Sequence, residues 1–167
     1  EFVDAYLKDT AMHEVGHALG LRHNFRASRA YTAAQLADPA FTAANGITAS
    51  VMEYAAINLN GPGEPRARYG TPFNTTLGPY DYWAIEYGYK SISGDEKSEL
   101  AKIASRSTEP GLSYATDEDT RSIDPDPFSN KSDLGKDPLT FVRRQLQHTN
   151  EMIPTIVKSA VRDGESY

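Results

Sequence analysis

Apolar residues recur at helical spacing along several stretches of the chain, and the segments between them are rich in turn formers. Val3, Leu7, Ala11, Val15, Ala18 and Leu19 give residues 3–19 the period of a helix, and Met12 widens its apolar surface. A helix that is apolar over much of its circumference expects cover on several sides. Thr32 can cap a short helix from Ala33 to about Ala37, and Asp38-Pro39 can open another that Asn45-Gly46 closes. Residues 47–51 read as extended. Residues 55–78 hold Asn58, Asn60, Gly61, Pro62, Gly63, Pro65, Gly70, Pro72 and Asn74, a surface loop by composition. Pro79 begins a helix to about Tyr87, with Gly88 after it, and Tyr80, Trp83, Ala84 and Tyr87 form an aromatic stripe suited to the core. Ser93-Gly94-Asp95-Glu96 reads as a capping box for a helix to about Ser105, with Leu100, Ile103 and Ala104 facing inward. Asp137 caps a last, long amphipathic helix carrying Leu139, Val142, Leu146, Ile153 and Ile156, which Pro154 should kink or break. The expected fold is mainly α, a single domain over residues 1–167.

One stretch carries chemistry. Residues 13–23 read His-Glu-x-x-His-x-x-Gly-x-x-His and contain three of the four histidines in the chain. Residues four apart on a helix share a face about 6 Å apart along the axis, so His13 and His17 can point at one metal ion. Glu14 sits beside His13 and reaches the same space. His23 can join them only if the helix stops, and Gly20 permits that stop because glycine takes the left-handed conformation that ends helices. Three neutral imidazoles suit zinc and leave a fourth position open, as catalytic sites do. Zinc brings the pKa of its bound water toward neutrality and polarises a carbonyl, while Glu14 is placed to take the proton and pass it to a leaving amine. His148, in the last helix and far from the motif, reads as an ordinary surface or core histidine.

Composition narrows the partners. The 167 residues carry a net charge of −6 and no basic cluster, which argues against nucleic acid or an anionic membrane. No run reaches the ~18 apolar residues of a membrane span. With no cysteine, disulfides and thiolate ligands are excluded, and a secreted or periplasmic protein fits. The acidic, turn-rich stretch with Asp117, Glu118, Asp119, Asp124, Asp126, Asp133 and Asp137 could offer oxygens to calcium, but it matches no EF-hand spacing and reads as a solvated loop.

A second signal follows the histidines. Ser50-Val51-Met52-Glu53-Tyr54 reads S-x-M-x-Y, and with the extended histidine motif it resembles the metzincins, zinc peptidases with a following Met-turn. The chain is most similar to the Met-zincin domain of large bacterial proteins that are zinc-dependent metallopeptidases by prediction. The similarity rests on His13–Phe25, on Ser50–Tyr54 and on Gly-Pro-Tyr-Asp-Tyr-Trp-Ala-Ile-Glu-Tyr-Gly-Tyr at 78–89, with weaker likeness in Tyr-Ala-Thr-Asp-Glu-Asp and Asp-Leu-Gly. The resemblance implies that Met52 forms a hydrophobic floor beneath the zinc, that Tyr54 stabilises the oxyanion, and that residues 55–58 wall a pocket for the substrate side chain after the scissile bond. It also implies an N-terminal β-sheet subdomain, for which there is no room before His13. The expectation is therefore an active-site helix plus C-terminal subdomain, a fragment whose own activity is open and whose missing N-terminal part would be a partner. Asn24, after the third ligand, is expected to hold the turn by hydrogen bonds.

The expected activity is a zinc-dependent endopeptidase acting on protein or peptide by attack of a metal-bound water. His13, His17 and His23 are the ligands, Glu14 is the general base, and Tyr54 assists. The alternatives are a non-catalytic, zinc-containing binding module derived from a peptidase and a zinc hydrolase of non-peptide amides. Intact Glu14 speaks against the former, since a purely structural zinc needs no base.

Overall fold

The structure is a computed structural model and describes residues 2–59, 70–160 and 164. Among these it is mainly helical and contains no strand. The order is α1 (Phe2–Ala18), a 3₁₀ turn at Ala27–Ala30, α2 (Ala33–Leu36), α3 (Pro39–Asn45), α4 (Pro79–Tyr89), α5 (Glu96–Ala104), 3₁₀ turns at Ser105–Thr108 and Asp117–Thr120, and α6 (Pro138–Ala160). Among the described residues, no helix is long and apolar enough to cross a membrane.

The deepest side chains come from the connections rather than from the long helices. Phe25, Ile47 and Met52 are fully buried, together with the polar Asn24, Ser28, Thr48, Ser50 and Asn74. Buried polar groups must be paired, and these segments pair with one another. The amide of Ala49 donates to Ala27 O, that of Phe25 to Ala115 O, that of Tyr80 to Ala49 O, and that of Ser132 to Tyr54 O. Asn74 accepts from the amides of Ile47 and Thr48 and donates to the Thr48 hydroxyl. Segments distant in sequence are thus laced into one body without forming a sheet.

The small helices begin where their caps predict. Thr32 and Gln35 form a reciprocal capping box for α2, and Asp38 accepts from the amides of Ala40 and Phe41 at the start of α3. Elsewhere the structure corrects the reading. Residues 47–49 bend instead of extending. The loop from 55 has buried anchors, Asn58, Phe73 and Asn74, while its residues 60–69 lie outside the described residues. Helix α4 continues through Gly88 to Tyr89 and leaves Tyr87 exposed, so the aromatic stripe is core only at its Tyr80 end. Asp95, not Ser93, caps α5, and Ala104 faces outward while Ile103 is buried. Helix α6 runs on either side of Pro154. Phe141 packs against Leu36, Ile47 and Leu134, but Leu139, Val142, Leu146, Ile153, Ile156 and Val157 are exposed.

Candidate metal centre

The centre begins with the way α1 ends. The amide of Gly20 donates to His17 O at 2.9 Å and that of Leu21 to Gly16 O at 3.0 Å, the paired bonds of a Schellman cap. Gly20 has φ +85°, in the left-handed region that a side chain would disfavour. The chain reverses there and brings His23 back under the helix, as the spacing predicts.

The three imidazoles converge. One ligand nitrogen from each of His13, His17 and His23 lies within 4.8 Å of the others, and the group could hold a metal ion. His17 Nε2 and His23 Nε2 stand 3.2 Å apart. Tetrahedral zinc ligands at ~2.0–2.1 Å from the metal lie about 3.3 Å from one another, so the spacing of this pair suits that ion. The other ring nitrogens are already committed. His13 Nδ1 donates to Val51 O at 2.7 Å, His17 Nδ1 to Leu21 O at 3.0 Å, and His23 Nδ1 to the Asp117 carboxylate at 2.9 Å. A neutral imidazole that donates from Nδ1 must present a lone pair at Nε2, which is the tautomer a metal requires. Burial holds His13 below its ordinary pKa, favouring that neutral form, although its bond to Val51 opposes the shift. Two Nε2 lone pairs facing each other with no proton to share repel unless a cation lies between them, and this donor set therefore fits zinc.

Met52, the residue expected beneath the rings, is fully buried against α1. It approaches α1 so closely that a Cβ at Gly16 would fall far inside contact distance of its Sδ. Gly16 admits the methionine. The turn that carries Met52 is gripped by one buried carboxylate, Asp81, in the first turn of α4. Its oxygens accept from the Ser50 hydroxyl at 2.6 Å, the Val51 amide at 3.0 Å and the Gly78 amide at 2.8 Å. Val51 O in turn receives His13. Asp81 thus acts on the first ligand through one intervening residue. Desolvation pushes its carboxyl above the usual range, and its hydrogen bonds pull the other way.

The third ligand is held from far along the chain. Asn24 is fully buried, donates to Ser113 O, and accepts from the Ala115 and Arg26 amides. Its own amide donates to Met52 O. Arg22 forms a two-pronged pair with Glu118 at 2.7 and 2.8 Å. The hydrogen bond with His23 is the largest of the effects that lower Asp117 below the usual carboxylate range. Residues 113–118 therefore run as a strap beside the corner.

Glu14 is exposed and lines a cleft of about 280 Å³ together with His13, Thr10, Tyr54, Ala55 and Phe73. The Tyr54 ring stacks on His13 at 5.3 Å between centroids and tilts over His23 at 4.5 Å. His148 lies apart, on the groove between α6 and residues 32–36. The structure brings the three histidine rings together and sets Glu14 and Tyr54 along the cleft beside His13. The reading missed Gly16, Asp81 and Asp117. Asp81 left a faint mark as an acidic residue in a first helical turn. Asp117 left only the weak family likeness of Tyr-Ala-Thr-Asp-Glu-Asp, because its stretch otherwise reads as a solvated loop. That expectation is corrected here: Asp117, Glu118 and Asp126 engage His23, Arg22 and Arg26, and Asp133 is buried.

No curated protein and no solved structure matches the chain. A family model does, over residues 1–167, and its description is Met-zincin. Beside the three converging histidines, that match over the whole length shows that the chain belongs to the Met-zincin family.

Proposed function

We propose that the protein is a zinc-dependent endopeptidase, with His13, His17 and His23 as the metal ligands and Glu14 as the general base. The observation that carries this reading is the approach of one ring nitrogen from each of the three histidines to within 4.8 Å, with the Nδ1 of each ring bonded elsewhere. Zinc, when bound, supplies a Lewis acid for the substrate carbonyl and an acidified water. Glu14 accepts the proton at its carboxylate and returns it to the departing amine nitrogen. Tyr54, seated on the ligand rings, offers a phenol to the developing oxyanion. Beside the cleft, Phe2, Tyr6, Ala55, Ile57 and Phe73 line an apolar hollow, which supports a pocket for an apolar side chain of the substrate. Phe73 adds to the wall expected from residues 55–58. The substrate is protein or peptide, and the family likeness supports a secreted or periplasmic setting.

The test is digestion of a mixed peptide library by the zinc-loaded protein, with and without chelator. Cleavage that the chelator abolishes is expected, and Glu14→Gln should lower turnover by about 10²–10⁴-fold with zinc content unchanged. Turnover surviving in Glu14→Gln removes that residue from the mechanism. A library left intact by the zinc-loaded protein points to a non-catalytic binding module.

A further inference from the structure

The carboxylates of the acidic stretch divide into engaged or exposed ones and, among the described residues, one that is buried without a hydrogen-bond partner. Asp117, Glu118 and Asp126 are engaged as described, Asp119 accepts from the Thr116 amide, and Asp137 caps α6 by accepting from the Leu139 amide. Asp133 is only 5% exposed, and neither of its carboxylate oxygens meets a hydrogen-bond donor among the described residues. It does not lie alone. Glu53, 6% exposed, carries a second buried carboxylate close enough for the two charges to oppose each other. The Ser28 side chain, fully buried, stands beside both, and its Oγ also lacks a partner. The Asn130 side chain adjoins Asp133.

Two buried carboxylates require compensation. Glu53 has part of it, since its oxygens accept from the Tyr54 amide at 3.0 Å and the Ser28 amide at 2.9 Å. Arg29 favours the charged form of Asp133, but its Nε is unpartnered and its guanidinium rests over the Phe128 ring at 4.4 Å. Arg29 offsets one of the two charges, and the Ser28 hydroxyl and the Asn130 side chain, which also favour ionised Asp133, stand beside it without closing a hydrogen bond. We propose that Glu53, Asp133 and Ser28 form a second metal site, separate from the histidine centre, that takes a hard divalent cation of the calcium type.

The donor chemistry selects the ion. Carboxylate, hydroxyl and amide oxygens favour calcium or magnesium over zinc. Magnesium demands near-octahedral order and retains several waters, whereas calcium accepts irregular oxygen cages. Binding there has a structural consequence. Ser132 donates to Tyr54 O at 2.8 Å and Ala56 donates to Asp133 O at 3.2 Å, so a cation between Glu53 and Asp133 clamps the exit of the methionine turn, and Tyr54 with it. The competing occupant is a proton. Burial pushes Glu53 up to about 8 and raises Asp133 as well, so without a cation one carboxyl of the pair keeps its proton near neutral pH.

Equilibrium dialysis and thermal melts of the whole chain, with zinc saturating the histidines, separate the two. One equivalent of Ca²⁺ should bind, and the melting temperature should rise by about 5 °C or more at a hundredfold excess over Kd. Asp133→Asn should weaken Ca²⁺ binding at least tenfold while zinc content stays at that of the wild type. Should Asp133→Asn not fold, Glu53→Gln takes its place, and the wild-type stoichiometry still decides. A wild-type chain that binds no Ca²⁺ at millimolar concentration overturns the proposal in favour of the shared proton. Ca²⁺ bound equally well by the folded variant overturns it by placing the ion elsewhere.

Discussion

The histidine corner and helix α6 were both legible as patterns, one as a motif and one as a period, yet the protein holds them by different means. Around the corner, each bend of the chain is fixed by a polar group reaching across sequence. Asp81 grips the methionine turn, Asn24 joins Ser113, Ala115 and Met52, and Asp117 receives His23. Helix α6 has the stronger apolar face, but among the described residues only Phe141 near its start packs on the core, and most of that face is exposed. Periodicity reports which residues a helix could bury. It does not report how firmly a segment is held. Bonds that a buried group cannot exchange with water hold a segment more rigidly than an uncovered apolar surface does.

If that contrast is right, substitutions in the two regions should differ sharply. The largest effect is expected at Asp81. Asp81→Ala leaves the Ser50 hydroxyl and two amides without their acceptor and should destabilise the fold by about 3 kcal/mol, read from urea unfolding of the metal-free protein. A loss below about 0.5 kcal/mol would show that the methionine turn stands without its carboxylate. Next comes Asp117→Asn, which keeps the shape but removes the charge facing His23. Zinc affinity should fall about 10–100-fold by competition with a chelator, with little change in metal-free stability. An unchanged affinity would mean that the His23 ring is oriented by packing alone. The smallest effect is expected on α6. Leu146→Ser, at a position 61% exposed, should change stability by no more than about 0.5 kcal/mol. A loss of 2 kcal/mol or more, the scale of a buried leucine, would erase the distinction between the two regions.

What the sequence disclosed, and what it withheld, follows the same line. The end of α1 was readable because Gly20 must adopt a conformation few other residues tolerate, and the third histidine makes sense only if it does. The caps of α2 and α3 were readable because capping is a contact over three residues. Asp95 displaced Ser93 as the cap of α5 because two acceptors two residues apart both suit a helix start, and backbone direction after Gly94 chooses between them. The role of Asp117 was not readable. Its partner lies 94 positions away, and nothing local separates a carboxylate aimed at an imidazole from one aimed at water. Asp133 fell to the same rule in reverse, since its burial is decided by what packs over it.

The strap at 113–118 also sets an order of events. Ribosomal synthesis delivers His13, His17 and His23 first, and the carboxylate and carbonyl groups that fix the third ring arrive about ninety residues later. A nascent chain shorter than that presents two imidazoles on one helix face and a third on a tether with no anchor. Tight metal capture must therefore wait until the later segment has docked, and a premature stop before residue 113 would yield a product that carries the complete motif and holds zinc only weakly.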